Sequence, residues 1–497
     1  MATNDIAGAP APASDGYKRV VIAFLLAAYT LNFVDRSIVA IIGQAIKVDL
    51  KLTDTELGLL GGLAFAILYT LLGVPIARLA ERWNRVSIIS LAIVVWSFFT
   101  AACGLAANFA TLLAMRVGVG IGEAGCSPPS HSLISDYFEP KRRASALSVY
   151  SFGIPLGAMI GAIAGGWLAT NFGWRIAFMA VGVPGLVLAL LIKLCVREPA
   201  RGASDIGAPP AAAPVLSVAG EFKEIWAVTR TLFGSWPVVN MVLGVTIVSI
   251  AGYGIGQFSA PYFNRAFGLS YATVGLIFGL IGGFSAGLGT LAGGFVSDWG
   301  SKHHARWYAL TPAIGLAIAT PIYVLAYREM DWRLAAAILL VPGVFHYTYL
   351  GPTFGVVQNV VETRRRATAT AVMFLFLNII ALGGGPFFTG WLIDRFAQFD
   401  FTHPGPHGLL TAFTGLFGDG GRGMASFNVQ CPGGVAPKGS TVMQSIGCMR
   451  TEAGATRQGI LVTIGFYAWG AVHYLLASFG MAARMAKADA ARAAGEL

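Results

Sequence analysis

Twelve apolar runs, each long enough to cross a bilayer, constrain this chain more than any other feature. A hydrocarbon core about 30 Å thick needs about 20 apolar residues in helical form. Only a helix or a closed barrel satisfies its own backbone hydrogen bonds in lipid. Runs of helical length fall at 20–46, 56–80, 86–106, 109–134, 144–168, 174–196, 237–263, 271–297, 306–327, 333–360, 367–395 and 458–483. The composition agrees: 56% of the 497 residues are hydrophobic and 12% charged, where a soluble domain carries about 25% charged residues. The expectation is an all-α membrane protein of twelve transmembrane helices. The net charge of +10 is assigned to basic loops, and no nucleic-acid partner is expected, because no compact basic domain with interleaved aromatics is present. The opening "MATNDIAGAPAPASDGYKR" reads as a short polar tail without a cleavable signal. Cys103, Cys126 and Cys195 lie in apolar segments as packing residues.

An internal repeat divides the chain. "DYFEPKRRASALSVY" (136–150) aligns without gaps to "NVVETRRRATATAVM" (359–373) at an offset of 223, and Pro129 falls on Pro352 at the same offset. Repeats of this kind mark two pseudo-symmetric six-helix bundles, here 1–200 and 237–497. Residues 201–236 form a linker whose Pro/Ala/Gly-rich start is flexible and whose later part suits an amphipathic helix on the cytoplasmic face. The basic loops "PKRRA" and "TRRRA" place both termini in the cytoplasm. One long excursion, 397–457, then lies outside. Its Cys431 and Cys448 are either two free thiols or, as expected in an oxidising compartment, a disulfide.

Charge inside the apolar runs is costly, about 2.5–3.5 kcal/mol per group on insertion scales, and marks transport paths or proton relays. Span one carries Asp35 and Arg36, and span four carries Arg116 and Glu123, seven residues apart and therefore on one helical face. Counted at about 1.5 Å per residue from the cytoplasmic ends, Asp35 lies about 22 Å up, Glu123 about 16 Å and Arg116 about 27 Å. The four are expected to form one neutral cluster facing a central cavity. The alternative is a static salt-bridge network that only ties helices together.

Loop and helix motifs sharpen the class. After span two, "GVPIARLAERWNRV" places Glu81 before Arg82 and Arg85. After span eight, "GGFVSDWGSKHHARW" places Gly294, Asp298 and Lys302 in matching positions. Both resemble the G-x-L-A-D-R-x-G-R-R motif of the major facilitator superfamily, which locks neighbouring helices on the cytoplasmic side. The first copy departs from it at Ala77, Glu81, Asn84 and Val86, and the second lacks the first arginine. In span four, Arg116, Gly120, Gly122 and Ala124 resemble that superfamily's R-x-x-x-G-x-G-x-A pattern. Gly120, Gly122 and Gly125 are rejected as a dinucleotide fingerprint for want of a preceding strand and an aqueous loop. Pro128 and Pro129 are expected to kink the span. Span five stacks Gly153, Gly157, Gly161 and Gly165 at four-residue spacing. That ridge suits close packing and is similar to a motif of superfamily antiporters.

The combination of Asn32, Asp35 and Arg36 in span one with R-x-x-x-G-x-G-E-A in span four resembles the spinster-type transporters. The resemblance covers essentially the whole chain, although the outer loop with its two cysteines departs from the pattern. It implies the major facilitator fold, an amphipathic anionic or lipid-like substrate of the lysophospholipid or sphingosine-phosphate kind, and coupling to protons. It maps the proton-carrying carboxylates onto Asp35 and Glu123.

The expected activity is that of a secondary transporter, with no enzymatic chemistry, no cofactor and no metal. The proton gradient is the driving force and the partners are protons, membrane lipids and the substrate. Arg36 and Arg116 would hold an anionic head. Tyr253, Gln257, Phe258, Tyr347, Phe374 and Asn378 would line the aromatic second half, with Asn32 on the first. His346, at the offset-223 counterpart of Glu123, joins the site as a second titratable group or sits as a hydrogen-bonded core histidine. Proton-driven export by alternating access is the leading reading and proton symport of small organic acids the second. A monomer in the bacterial inner membrane is expected.

Overall fold

The computed structural model describes residues 14–201, 218–361, 366–405, 408–415 and 424–493, and every regular element among them is helical. Among the described residues, twelve helices are long and apolar enough to cross a membrane: Asp15–Leu50, Asp54–Ala80, Arg85–Cys103, Phe109–Tyr137, Ser145–Phe172, Trp174–Cys195, Trp236–Phe267, Tyr271–Ser301, Trp307–Arg328, Trp332–Val357, Ala369–Thr402 and Val442–Ser478. They are spans one to twelve below. The start of the linker, residues 362–365 of the "TRRRA" loop and the side chain of Glu81 lie outside the described residues.

Helix ends follow local chemistry. Ser14 caps span one by accepting the Tyr17 N–H, and Lys51 closes it in the left-handed conformation. Span two opens with a capping box between Thr53 and Glu56, then breaks at Gly62. There an added Cβ would lie 2.6 Å from the Leu382 carbonyl of span eleven. Span four is broken after Glu123, and Pro128 and Pro129 start its second segment, Ser127–Tyr137. A proline at the first helical positions lacks only an N–H that would be unpaired anyway. Span ten breaks likewise after His346. Spans eight and eleven each contain a π-helical stretch, Ile281–Ser285 and Leu377–Gly383.

The glycine ridge of span five packs on span one. A Cβ at Gly157, Gly161 or Gly165 would fall 2.3 Å from the Thr30 carbonyl, 2.6 Å from the Val34 carbonyl or 2.7 Å from Ile38. Small residues there let two backbones approach, which fixes the register of span one and of the two charges it carries.

The bundles meet at the end remote from the termini. Gly58 lies against Pro386, Gly390 against Asp54, and Gly166 against Tyr271 and Gly275. Toward the termini, Gly73, Gly287, Gly294 and Gly355 have open space around the Cβ position. The molecule is closed at the far end, and among the described residues no helical segment at the termini-bearing end of one bundle packs closely on one of the other, so that end is parted.

Two stretches differ from their sequence-based bounds. The excursion expected over 397–457 is shorter, because 397–402 continue span eleven and 442–457 begin span twelve. The polar residues that interrupt the hydropathy there, Glu452 among them, are buried against other spans. Thr441 and Gln444 cap the helix start, and Cys431 is bonded to Cys448 at the edge of this segment. The linker's later part is a helix, Val218–Phe233. It buries Val228 and Leu232 and exposes Trp226.

Candidate functional site: two buried ion clusters

The four in-span charges of the first bundle come together as two pairs. Arg36 Nε donates to Glu123 Oε2 at 2.7 Å. Arg116 Nη1 donates to Asp35 Oδ1 at 3.3 Å, and the Thr100 hydroxyl donates to Asp35 Oδ2 at 2.5 Å. Phe65 stands between the pairs, its ring centroid 4.6 Å from the Arg36 guanidinium and 5.9 Å from that of Arg116. Phe33 and Tyr69 complete an aromatic surround of Arg36 at 5.0 and 4.7 Å. Such rings stabilise a desolvated cation by about 2 kcal/mol.

Accessibility separates the pairs. Asp35, Arg116 and Glu123 are buried, whereas the Arg36 side chain keeps 22% of its surface. Among the described residues, Glu123 Oε1, Arg116 Nε and Asn32 Oδ1 have no hydrogen-bond partner. A buried carboxylate oxygen without a donor is expensive, so the Arg36–Glu123 pair is the part of this cluster prepared to change partners.

The second bundle is arranged differently from the sequence reading. His346 does not contact the charged pairs. It is buried among tyrosines, with Tyr323 and Tyr467 hydroxyls 3.4 and 3.5 Å from Nδ1, the rings of Tyr347 and Tyr349 alongside, and Nε2 unpartnered. Tyr253 and Phe374 are exposed, and Tyr347 and Asn378 are half-buried. Phe258 is buried in the apolar core and Asn32 is buried beside Asp35, so neither lines an opening in this conformation. Gln257 fills the seam between the bundles, where an added Cβ at Gly61 would lie 2.1 Å from its Oε1.

The loop motifs also take other partners. Arg85 is fully buried and binds Asp136, Glu198 at 2.6 Å, and Ser132 Oγ at 2.9 Å, so it ties the first bundle together internally. Arg82, Asp298 and Lys302 are exposed, and Asp298 makes no ion pair with another described residue. Gly294 faces open space.

A second ion cluster, which the sequence reading missed, closes the far end. Lys47 of span one binds Asp54 Oδ2 at 2.7 Å and also Glu452 Oε1. Arg265 of span seven donates from Nη2 to Asp54 Oδ1 at 2.6 Å, from Nη1 to Thr456 Oγ1 at 2.7 Å and from Nε to Gln44 Oε1 at 2.6 Å, and its Nη1 forms an ion pair with Glu452 Oε1 at 3.1 Å. Asp394 of span eleven accepts the backbone N–H groups of Asp54 and Thr55 at 3.0 and 2.8 Å. It thus caps span two from the opposite bundle. These residues stand at the ends of apolar runs or in the outer excursion expected over 397–457, where each alone reads as a loop charge. Asp394, inside the run 367–395, was the one available signal.

Two helical bundles, closed together by ions at one end, parted at the other and holding charge at mid-span, have the architecture of a membrane transporter. The chain belongs to the Major Facilitator Superfamily, whose model matches residues 25–386, and its members are transporters, not enzymes. Spinster proteins are among its relatives. A bacterial homolog of the human lysosomal transporter spinster, solved in an inward-facing and unoccupied conformation, superposes with a TM-score of 0.81 at 33% identity, covering 95% of this chain and 99% of that one. The occupied inward-facing form of that homolog gives 0.76 at 33% identity over 94% and 98%. By sequence, an MFS-type efflux pump of Mycolicibacterium smegmatis is 34% identical over 73% of this chain and 82% of its own length. The hexuronate transporter of Bacillus subtilis is 27% identical over 77% and 89%. Human protein spinster homolog 1 is 28% identical over 77% and 74%.

Proposed function

We propose that this protein is a proton-coupled secondary transporter that exports amphipathic or lipid-like anions by alternating access. In this reading it acts as a monomer in the bacterial inner membrane, with both termini cytoplasmic and the proton gradient as its only drive. The observation that carries the reading is the Arg36–Glu123 pair, one partner partly exposed and the other buried with a carboxylate oxygen that has no partner among the described residues. An anionic head arriving at Arg36 competes with Glu123 for the guanidinium. In export head and proton occupy the site in turn: the head holds Arg36 with Glu123 ionised while the bundles move one way, and a proton holds the desolvated Glu123 with the head gone while they move back. Each ligand displaces the other, which gives antiport. Asp35, held by Thr100 and Arg116, is the second carboxylate of this step, and Arg116 its counter-ion. The aromatic surround of Arg36 and the exposed Tyr253 and Phe374 suit the apolar part of an amphiphile. The efflux-pump relative supports export.

The hexuronate transporter relative supports the second reading, proton symport of small organic acids. There the head and the proton bind together at the same residues. Purified protein in vesicles under an imposed pH gradient, offered lysolipids and small carboxylates in parallel, separates the two. Lysolipid flux opposed to the proton gradient is the expected result, and carboxylate flux running with it establishes the second. Asp35→Asn and Glu123→Gln are each expected to abolish gradient-driven flux. Undiminished flux in both refutes proton coupling at this site.

A further inference from the structure

The far-end cluster contains more acid than base. Lys47 and Arg265 face Asp54, Asp394 and Glu452, and all five side chains are buried. With every group ionised the sum is one negative charge, in a place where burial strongly disfavours an unpaired charge. The first turn of span two does not cancel it. That turn's partial positive end is shared by Asp394 with Asp54 and Glu56 of the same turn.

The hydrogen bonds show which acid carries the excess. Asp54 receives cations on both oxygens, Lys47 and Arg265 on Oδ2 and Arg265 on Oδ1. Asp394 receives N–H donors on both, plus the Thr55 hydroxyl. Glu452 takes Lys47 and Arg265 on Oε1 alone, while Oε2 is buried with no partner among the described residues. Above it, Gly434 sits so close that an added Cβ would lie 2.6 Å from the Glu452 carboxyl carbon. The neighbouring polar groups are occupied: Gln44 and Thr456 by Arg265, Asp49 by Arg175, and Asp400 by Gln458.

We propose that Glu452 is a second proton-binding site of this transporter, loaded on Oε2 as the bundles close over it and emptied to the bath on that side as they part. On closing, an O–H bond forms at Oε2 with a proton taken from water, and the cluster becomes neutral. On opening, Lys47 and Asp54 leave together with the first bundle. Glu452, now hydrated beside Arg265, ionises and returns the proton. Acid on that side thus holds the far end shut and alkali releases it. The step does not require Asp35 or Glu123 to carry protons.

The test is a distance measurement on the full-length protein in lipid nanodiscs. Spin labels on L105C and M330C, exposed positions of opposite bundles at the far end, report the ratio of parted to closed molecules between pH 5 and 8; the free cysteines are replaced and the disulfide kept. The wild-type ratio should rise by up to about tenfold per pH unit, and Glu452→Gln should flatten it. A pH-independent wild-type ratio overturns the proposal, as does an unchanged slope in Glu452→Gln. So does a slope that follows sodium concentration at fixed pH, which would mean a metal cation neutralises the site. Should the Gln variant not accumulate, the infrared band of a protonated carboxyl in wild type must weaken as the far end parts, and a band that stays constant is equally fatal. Asp35→Asn keeps the slope even if it loses flux, so failure here and failure of the mid-span mechanism are told apart.

Discussion

The two ion clusters are made of the same chemistry and differ in what they join. The mid-span pairs link spans one and four, with Thr100 from span three, all inside one bundle. The far-end cluster links spans one and two to spans seven, eleven and twelve, across both bundles. An ion pair within a rigid body survives when the bodies move. One between bodies exists in only one arrangement. The first can therefore exchange partners with a substrate or a proton without changing the conformation, whereas the second sets the balance between conformations directly.

Removing a cation should show this difference at its largest. Arg265→Ala strands Asp54 and Glu452, and breaking one side of a buried ion network costs about 3–5 kcal/mol. Here the cost falls on the closed arrangement alone, because the parted bundles expose the acids to water. The far-end label ratio should shift toward the parted form by about a hundredfold or more, with a small change in the melting temperature of either bundle. A variant that unfolds instead of opening would show that the cluster holds the fold together and does not gate it.

The disulfide gives a smaller effect of the same kind. It fastens Cys431 to Cys448, one turn before Glu452, and so pins the turn at 432–434. Gly433 and Gly434 adopt φ of 71° and 81° there, and a Cβ on Gly433 would lie 2.9 Å from the Lys47 carbonyl of span one. The turn covers the ions from the second bundle and touches the first. The paired change Cys431→Ser and Cys448→Ser should loosen the closed form by about 1–3 kcal/mol, the lower part of the range for removing such a link. The label ratio moves in the direction of Arg265→Ala but less far. An unchanged ratio would make the bond a loop staple with no part in closure.

These effects also mark where a sequence reading stops. The spans were legible because lipid demands a helix-length apolar run, and the mid-span charges because lipid makes them conspicuous. Arg116 and Glu123 share a helical face through spacing alone, so their convergence on span one needed only depth. Lys47, Asp54, Arg265 and Glu452 carry no such mark. Each lies where a run ends, where charge is ordinary, and only packing of five spans turns four ordinary charges and Asp394 into a dry cluster. His346 shows the converse. The repeat places it opposite Glu123, and both stand at helix breaks, yet the second bundle surrounds it with tyrosines in place of arginine. Symmetry carried the backbone across, but not the electrostatics.

Packing behind the mid-span pairs should matter less than either closure element. Gly161→Ala places a methyl 2.6 Å from the Val34 carbonyl, and overpacking of this kind costs about 1–3 kcal/mol. Because Val34 precedes Asp35, the shift displaces the carboxylate with its helix. Gradient-driven flux is expected to fall several-fold while the far-end label ratio stays near wild type. A ratio that moves with the flux would show that spans one and five transmit to the closure.

Phe65→Leu is the finest cut. Leucine keeps most of the apolar volume but removes the ring face that both guanidiniums share, a loss of about 1–2 kcal/mol. No hydrogen bond of either pair is touched, so the fold and the far-end label ratio should be unchanged. Arg36, less well held, pairs more loosely with Glu123 and presents a less ordered site to an anion. The expected signature is a KM raised by about 5–30-fold with the maximal rate nearly constant, since about 1.4 kcal/mol of uniform binding is tenfold in affinity. An equal fall in maximal rate would place the ring in the moving step and bring the mid-span pairs closer in role to the far-end cluster than their confinement to one bundle implies.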